Sequence, residues 1–219
     1  MTRIKICGLR DAKHALFAAE KGADYLGFVF VPGVRRCLAL DDAQRIVAEY
    51  RKAHGANGPS LVGLFSDQPI EFVNSTLESV GLDLAQICGD EPLEYLSGVV
   101  RPTIRVVHVG DGATLDEEVG VVSERLNALK AAGVTVTLDR KSSVQPGGLG
   151  VPFNWAIAEK LAGKHAFLLA GGLTPANVAE AIATVHPWGV DVSSGVETDG
   201  MKDTAKIEAF IATVKATGA

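Results

Sequence analysis

A cysteine, an aspartate and two runs of glycine and serine stand where short β-branched segments end, and these residue types move protons and hold phosphate. Cys7 closes the segment RIKIC within KICG at 5–8, followed by a glycine that allows a sharp turn. Successive strand side chains alternate, so Lys5 and Cys7 share a face, separated by roughly 7 Å, two strand rises. A cation there favours the thiolate, the basic form. A cysteine at an arbitrary position is more often a small buried hydrophobe, but a strand end with a charged neighbour on the same face shifts the balance toward function. Asp139 closes a second such segment, TLD at 137–139, immediately before an irregular loop carrying GGLG at 147–150. A carboxylate there serves as general acid or base, and a glycine-rich loop, including Gly150, can close over a ligand. AGGLTP at 170–175 and DVSSGVE at 191–197 follow two further segments. Gly171, Gly172, Ser193, Ser194 and Gly195 are what a phosphate nest needs: backbone N–H groups freed by glycine, with hydroxyls beside them.

The elements that must position these residues are short apolar runs alternating with longer helical patterns, the signature of βαβ units and a parallel sheet buried on both faces. Strands are predicted at 3–7, 25–30, 61–65, 82–86, 103–109, 134–138, 166–170 and 189–192. Helical patterns cover about 11–21, 41–53, 68–80, 91–98, 113–132, 153–162, 175–185 and 203–216, with Asp11 as the first N-cap. Eight strands each followed by a helix predict an α/β fold, a single (β/α)8 TIM barrel domain over 1–219 with its active site at the C-terminal ends of the strands. An open doubly wound sheet fits less well, because no dinucleotide glycine fingerprint follows the first strand. Arg140 to Pro152 reads as a long loop after the sixth strand. Barrels commonly bind phosphate in the loops after strands seven and eight, where the two glycine and serine runs fall.

Composition narrows the function classes. Hydrophobic residues at 47% and charged residues at 21% exclude a disordered chain. A formal charge of −5 and a pI near 5.5 leave no basic stripe for nucleic acid. No apolar run reaches a membrane span and no signal peptide opens the chain, so a cytoplasmic location without a membrane partner is expected. Cys7, Cys37 and Cys88 fit neither a disulfide framework nor a zinc site. His14, His54, His108, His165 and His186 fall mostly in helices or before strands, and His108 alone lies near a strand end, so no metal is expected. Monomer and homodimer are both compatible with the sequence.

KICG, GADYLGFVF at 22–30, Arg36, the aspartate of TLD, GGLG followed by FNW, AGGLTPANV and VDVSSGVE, in that order, resemble the phosphoribosylanthranilate isomerases from residue 3 to the final helix. The resemblance implies a cofactor-free and metal-free Amadori rearrangement of a small phosphorylated substrate, N-(5′-phosphoribosyl)anthranilate, in tryptophan biosynthesis. It makes Asp139 the general acid and Cys7 the general base. Arg36 is matched to the arginine that pairs with the anthranilate carboxylate, a task suited to a planar guanidinium fork. Gln86 is matched to substrate binding, and Asp191, on the inward face of the eighth strand with Ser193, to binding sugar hydroxyls or holding Lys5.

Some residues depart from the family pattern. Cys88 stands where histidine is usual, Leu149 removes a hydroxyl from the GGLG loop, Arg140 replaces a common threonine, and Gly33 and Val34 replace a polar pair. None falls on Cys7 or Asp139 themselves, so the expected effects are on affinity or loop motion. A related aminoaldose substrate of the same Amadori class stays open. A pentose-phosphate epimerase is disfavoured for want of metal-ligating histidines. A catalytically silent barrel that binds a phosphorylated ligand is disfavoured because binding alone has no need of a matched acid and base.

Overall fold

The computed structural model describes residues 1–55, 57–109, 114–140 and 155–218. Strands and helices alternate in the order β1 (Arg3–Ile6), α1 (Ala12–Lys21), β2 (Tyr25–Val29), α2 (Leu40–His54), β3 (Ser60–Phe65), α3 (Ile70–Val80), β4 (Leu84–Ile87), α4 (Leu93–Ser97) and β5 (Thr103–Val109). They continue as α5 (Leu115–Ala131), β6 (Thr135–Arg140), α6 (Trp155–Ala162), β7 (Leu168–Leu169), α7 (Val178–Val185) and β8 (Gly189–Val192). A 3-10 turn (Ser194–Val196), a short hairpin of β9 (Glu197–Thr198) and β10 (Met201–Lys202), and α8 (Thr204–Ala216) complete the chain. Strands β1 to β8 are hydrogen-bonded in sequence order as a closed barrel. Their registers run parallel, Tyr25 opposite Ser60 through Val29 opposite Leu64, and Thr137 opposite Leu168. Among the described residues no helix is long and apolar enough to cross a membrane. The chain divides into two compact units, Lys5–Ile104 on one side and Met1–Ile4 with Arg105–Ala219 on the other.

In the unit Lys5–Ile104, each long helix buries one stripe. Helix α2 turns Ala43, Ile46, Val47 and Tyr50 inward, and α3 turns Val73, Thr76, Leu77 and Val80 inward, at the i, i+3, i+4, i+7 spacing of an amphipathic helix. A fully buried Val, Leu or Ile contributes about 1.5–3 kcal/mol, so these stripes hold the helices on the strands. Asp11 caps α1 by accepting from the His14 N–H at 2.8 Å, and Gly22 and Gly81 end α1 and α3 in the left-handed conformation. Strand β4 begins at Leu84, two residues later than the apolar run predicts. The Leu82 N–H bonds back to the Leu77 carbonyl at 2.9 Å to finish α3. Asp83 turns its carboxylate to the Leu61 N–H at 2.7 Å and to Arg51 at 2.6 Å. Burial pushes the Tyr50 hydroxyl up to about 12, so it stays protonated and donates to the Pro59 carbonyl at 2.9 Å.

In the second unit, Thr114 caps α5, its hydroxyl oxygen accepting from the Glu117 N–H at 3.3 Å and its O–H donating to the Glu117 carboxylate at 2.9 Å, and Asp203 caps α8 through the Ala205 and Lys206 N–H groups. Helix α7 buries Val178, Ala181, Ile182 and Val185, and α8 buries Ile207, Phe210, Ile211 and Val214. Strand β7 is shorter than predicted. Only Leu168 and Leu169 pair as strand, and at its C-terminal end Gly171, with φ of 87°, turns the chain just after Ala170. Strand β6 runs one residue past Asp139, through Arg140. Met1–Ile4, the start of β1 included, belong to this unit, where the Arg3 N–H donates to the Trp188 carbonyl at 3.1 Å. Gly189 permits that approach, since a Cβ there would lie 2.8 Å from the Arg3 carbonyl oxygen.

Candidate active site

Cys7 follows the last residue of β1 and is 6% exposed, in an apolar cluster with Val29, Val62, Leu64 and Ile104. Two features aim the thiol. Gly8, with φ of 75°, reverses the chain, and the N–H groups of Gly8 and Leu9 both bond to the Gly27 carbonyl, at 2.9 and 3.0 Å. Gly27 also clears the space, for a Cβ there would stand 3.0 Å from the Cys7 sulfur. Lys5 is fully buried. Arg36 is half-buried in the turn after β2, which is closed by the Cys37 N–H on the Val34 carbonyl at 3.0 Å and by Leu38 on Val29 at 2.9 Å. Gln86 is 4% exposed in β4. Its Nε2 donates to the Cys88 sulfur at 3.7 Å, and its Oε1 meets no donor among the described residues. An unmet buried acceptor costs about 1–3 kcal/mol, so this oxygen is ready for a ligand hydroxyl or N–H.

In the second unit the aspartate and the two small-residue loops come together. The half-buried Asp139 has its Oδ1 fixed by the Arg140 N–H at 2.7 Å. Gly171 lies so close that a Cβ on it would be 3.1 Å from that oxygen. Gly171 and Gly172 both hold positive φ, 87° and 76°, a conformation that opens a backbone path around the strand end. Asn177 braces this loop from below, its Oδ1 accepting from the Thr174 N–H at 2.8 Å and its Nδ2 donating to the Gly172 carbonyl at 3.1 Å. The 3-10 turn after β8 presses on the same loop, and a Cβ on Gly195 would fall 1.8 Å from the Leu173 carbonyl oxygen. Among the described residues the N–H groups of Leu173, Ser194 and Gly195 reach no acceptor. Half-buried Ser193 and Ser194 stand beside them, and Asp191 is buried in β8. Unpaired N–H groups with adjacent hydroxyls suit an anion.

The predicted site residues that the structure describes thus lie at or just beyond strand ends, each within its own unit, except Arg36, which sits further along the loop after β2. Gly150 and the GGLG loop fall outside the described residues. His108, near the end of β5, is exposed. Among the described residues no three His, Cys, Asp or Glu side chains gather as a metal-binding group. Sequence reasoning missed the braces: Asn177, Glu197 and Lys202. Asn177 carried a readable signal, an Asx residue three positions after Thr174 at the start of a helical pattern. The other two carried none.

Comparison with known proteins gives a concordant picture. The family described as N-(5'phosphoribosyl)anthranilate (PRA) isomerase matches residues 4–213. A Dehalococcoides mccartyi protein named N-(5'-phosphoribosyl)anthranilate isomerase is 40% identical over 215 residues, covering 98% of this chain and 96% of its own. A Roseiflexus castenholzii protein of the same name is 42% identical over 216 residues, covering 97% and 98%. Among solved structures, a phosphoribosyl anthranilate isomerase in complex with reduced 1-(o-carboxyphenylamino)-1-deoxyribulose 5-phosphate superposes with a TM-score of 0.80 and 31% identity, over 99% of this chain and all of that one.

Proposed function

The chain belongs to the N-(5′-phosphoribosyl)anthranilate isomerase family, and from that premise we propose that it converts N-(5′-phosphoribosyl)anthranilate to 1-(o-carboxyphenylamino)-1-deoxyribulose 5-phosphate, an aldose-to-ketose isomerisation in tryptophan biosynthesis in the cytoplasm. The observation that carries the reading is the match of nearly the whole chain, residues 4–213, to this one family.

The chemistry follows from what each residue can do. The Asp139 carboxyl donates a proton to the ribose ring oxygen as the bond from that oxygen to C1 breaks, and the anthranilate nitrogen lone pair closes onto C1 as an iminium. The Cys7 thiolate removes the proton from C2, and the electron pair moves into the C1–C2 bond to give an enolamine. The Cys7 thiol then returns a proton to C1 while the C2 hydroxyl gives up its own to the Asp139 carboxylate, which leaves the ketone and restores both groups, so no atom is gained or lost. Arg36 suits the anthranilate carboxylate. The Gln86 Oε1 accepts from the substrate's polar hydrogens, and Asp191 from sugar hydroxyls. The phosphate takes the N–H groups of the Gly171–Leu173 loop and of Ser194 and Gly195, with the Ser193 and Ser194 hydroxyls. We place Gly150, in the GGLG loop, in the same phosphate site.

The test is loss of substrate fluorescence with purified protein in EDTA. Turnover by the parent, with Cys7→Ser and Asp139→Asn each slowed by about 100-fold or more as expected for lost acid or base catalysis, is the expected result. A folded parent that binds a product analogue but turns nothing over would sink the enzymatic reading.

A further inference from the structure

Lys202 and Glu197 form an ion pair with side chains only 3% and 5% exposed and their charged atoms 2.9 Å apart. Burying two charges is costly unless their hydrogen bonds are well used, and here one of those bonds has a directional effect. The Lys202 ammonium donates to the backbone carbonyl of Ser193 at 2.8 Å. In a planar trans peptide the carbonyl and the next N–H point in opposite directions. Drawing the Ser193 carbonyl onto Lys202 therefore turns the Ser194 N–H the other way, and that N–H meets no acceptor among the described residues. Glu197 holds the ammonium in place, and its own backbone carbonyl accepts from Lys206 Nζ at 2.7 Å. The Asp203 N–H on the Val196 carbonyl at 3.0 Å joins the far end of the turn to the start of α8. Asn177 does the equivalent for the neighbouring loop by holding the Gly172 carbonyl at 3.1 Å, which turns the Leu173 N–H away.

We infer that the buried Lys202–Glu197 pair is a positioning device for the substrate's phosphate, acting through the Ser193–Ser194 peptide rather than by contact. The inference rests on the phosphate site proposed above. It predicts a loss confined to binding of the phosphoryl group. Lys202→Met should weaken binding of inorganic phosphate, measured by calorimetry, by roughly tenfold, the value of one misdirected charge-assisted hydrogen bond. It should raise KM for the phosphorylated substrate by a similar factor and leave kcat within about threefold, because an interaction made equally in ground and transition states affects binding alone. Lys202→Arg, which keeps the donor, should recover part of the affinity. If Lys202→Met does not fold, the double variant Lys202→Met/Glu197→Gln removes both charges and leaves neither one buried alone. A folded variant with unchanged phosphate affinity and KM, or one that loses kcat while keeping both, overturns the inference. A parent that fails to turn over substrate overturns the functional reading instead, and the phosphate titration of parent against variant still decides the role of Lys202.

Discussion

Gly195 has no side chain to offer, yet it sets how closely the two loops proposed to hold phosphate meet. A methyl group there would fall 1.8 Å from the Leu173 carbonyl oxygen, which is backbone and has nowhere to yield except by moving the Gly171–Thr174 loop. Gly195→Ala is therefore expected to raise KM at least about tenfold, while the chemical step loses less. Steady-state kinetics settle the matter, and an unchanged KM would show that the loops are not the phosphate site. Position along the chain was enough to single out Cys7 and Asp139, because a reactive residue type directly after an apolar run is readable without coordinates. Lys202 and Glu197 were not readable in this way. A lysine and a glutamate five positions apart are ordinary surface residues until the turn between them folds and buries both.

The α5 helix and the segment before β7 meet through one histidine. His165 is buried and its Nε2 pairs with the Ser123 hydroxyl at 2.9 Å, while its Nδ1 has no partner among the described residues. Burial first, then the charges of Lys130 and Lys164, hold the imidazole pKa below its usual 6.5. As the pH falls below that value the unfolded chain binds the proton before the folded chain does. The stability is then full above the unfolded pKa and is lost as the pH drops toward the lower folded pKa. Thermal unfolding at about pH 8 and about pH 5.5 should show a larger acid-side loss in the parent than in His165→Gln; equal losses would mean that the histidine is not the titrating group. The helices were legible from periodicity, including the Asp11 cap of α1. The ends of β4 and β7 were not. Leu82 is apolar and reads as strand, but its N–H is taken by the Leu77 carbonyl, and no local pattern records such a bond. The 3-10 turn and the β9–β10 hairpin were missed for a related reason, since two-residue strands carry no period.

At the scale of the molecule, the sheet depends on one glycine for the approach of Arg3 to β8. A Cβ at Gly189 would stand 2.6 Å from the Leu168 side chain and 2.8 Å from the Arg3 carbonyl. Gly189→Ala should cost about 1–3 kcal/mol through overpacking. For a chain of this length that corresponds to a fall in Tm of about 2–4 °C per kcal/mol, and calorimetry showing no fall would mean that β8 has room. The alternation of strands and helices and the placing of Cys7 and Asp139 at strand ends were legible in the sequence alone, which favoured a barrel, while closure came from the structure. Burial on both faces writes a continuous apolar run into each strand, and amphipathic helices write their own period, so these are local records. Tertiary structure alone decided that Met1–Ile4 joins Arg105–Ala219, that Gly195 rests on the Leu173 carbonyl, and that Lys202 turns the Ser193 peptide. Each depends on a backbone atom met through space, and the backbone is the same at every residue, so the identity of the amino acids cannot announce it.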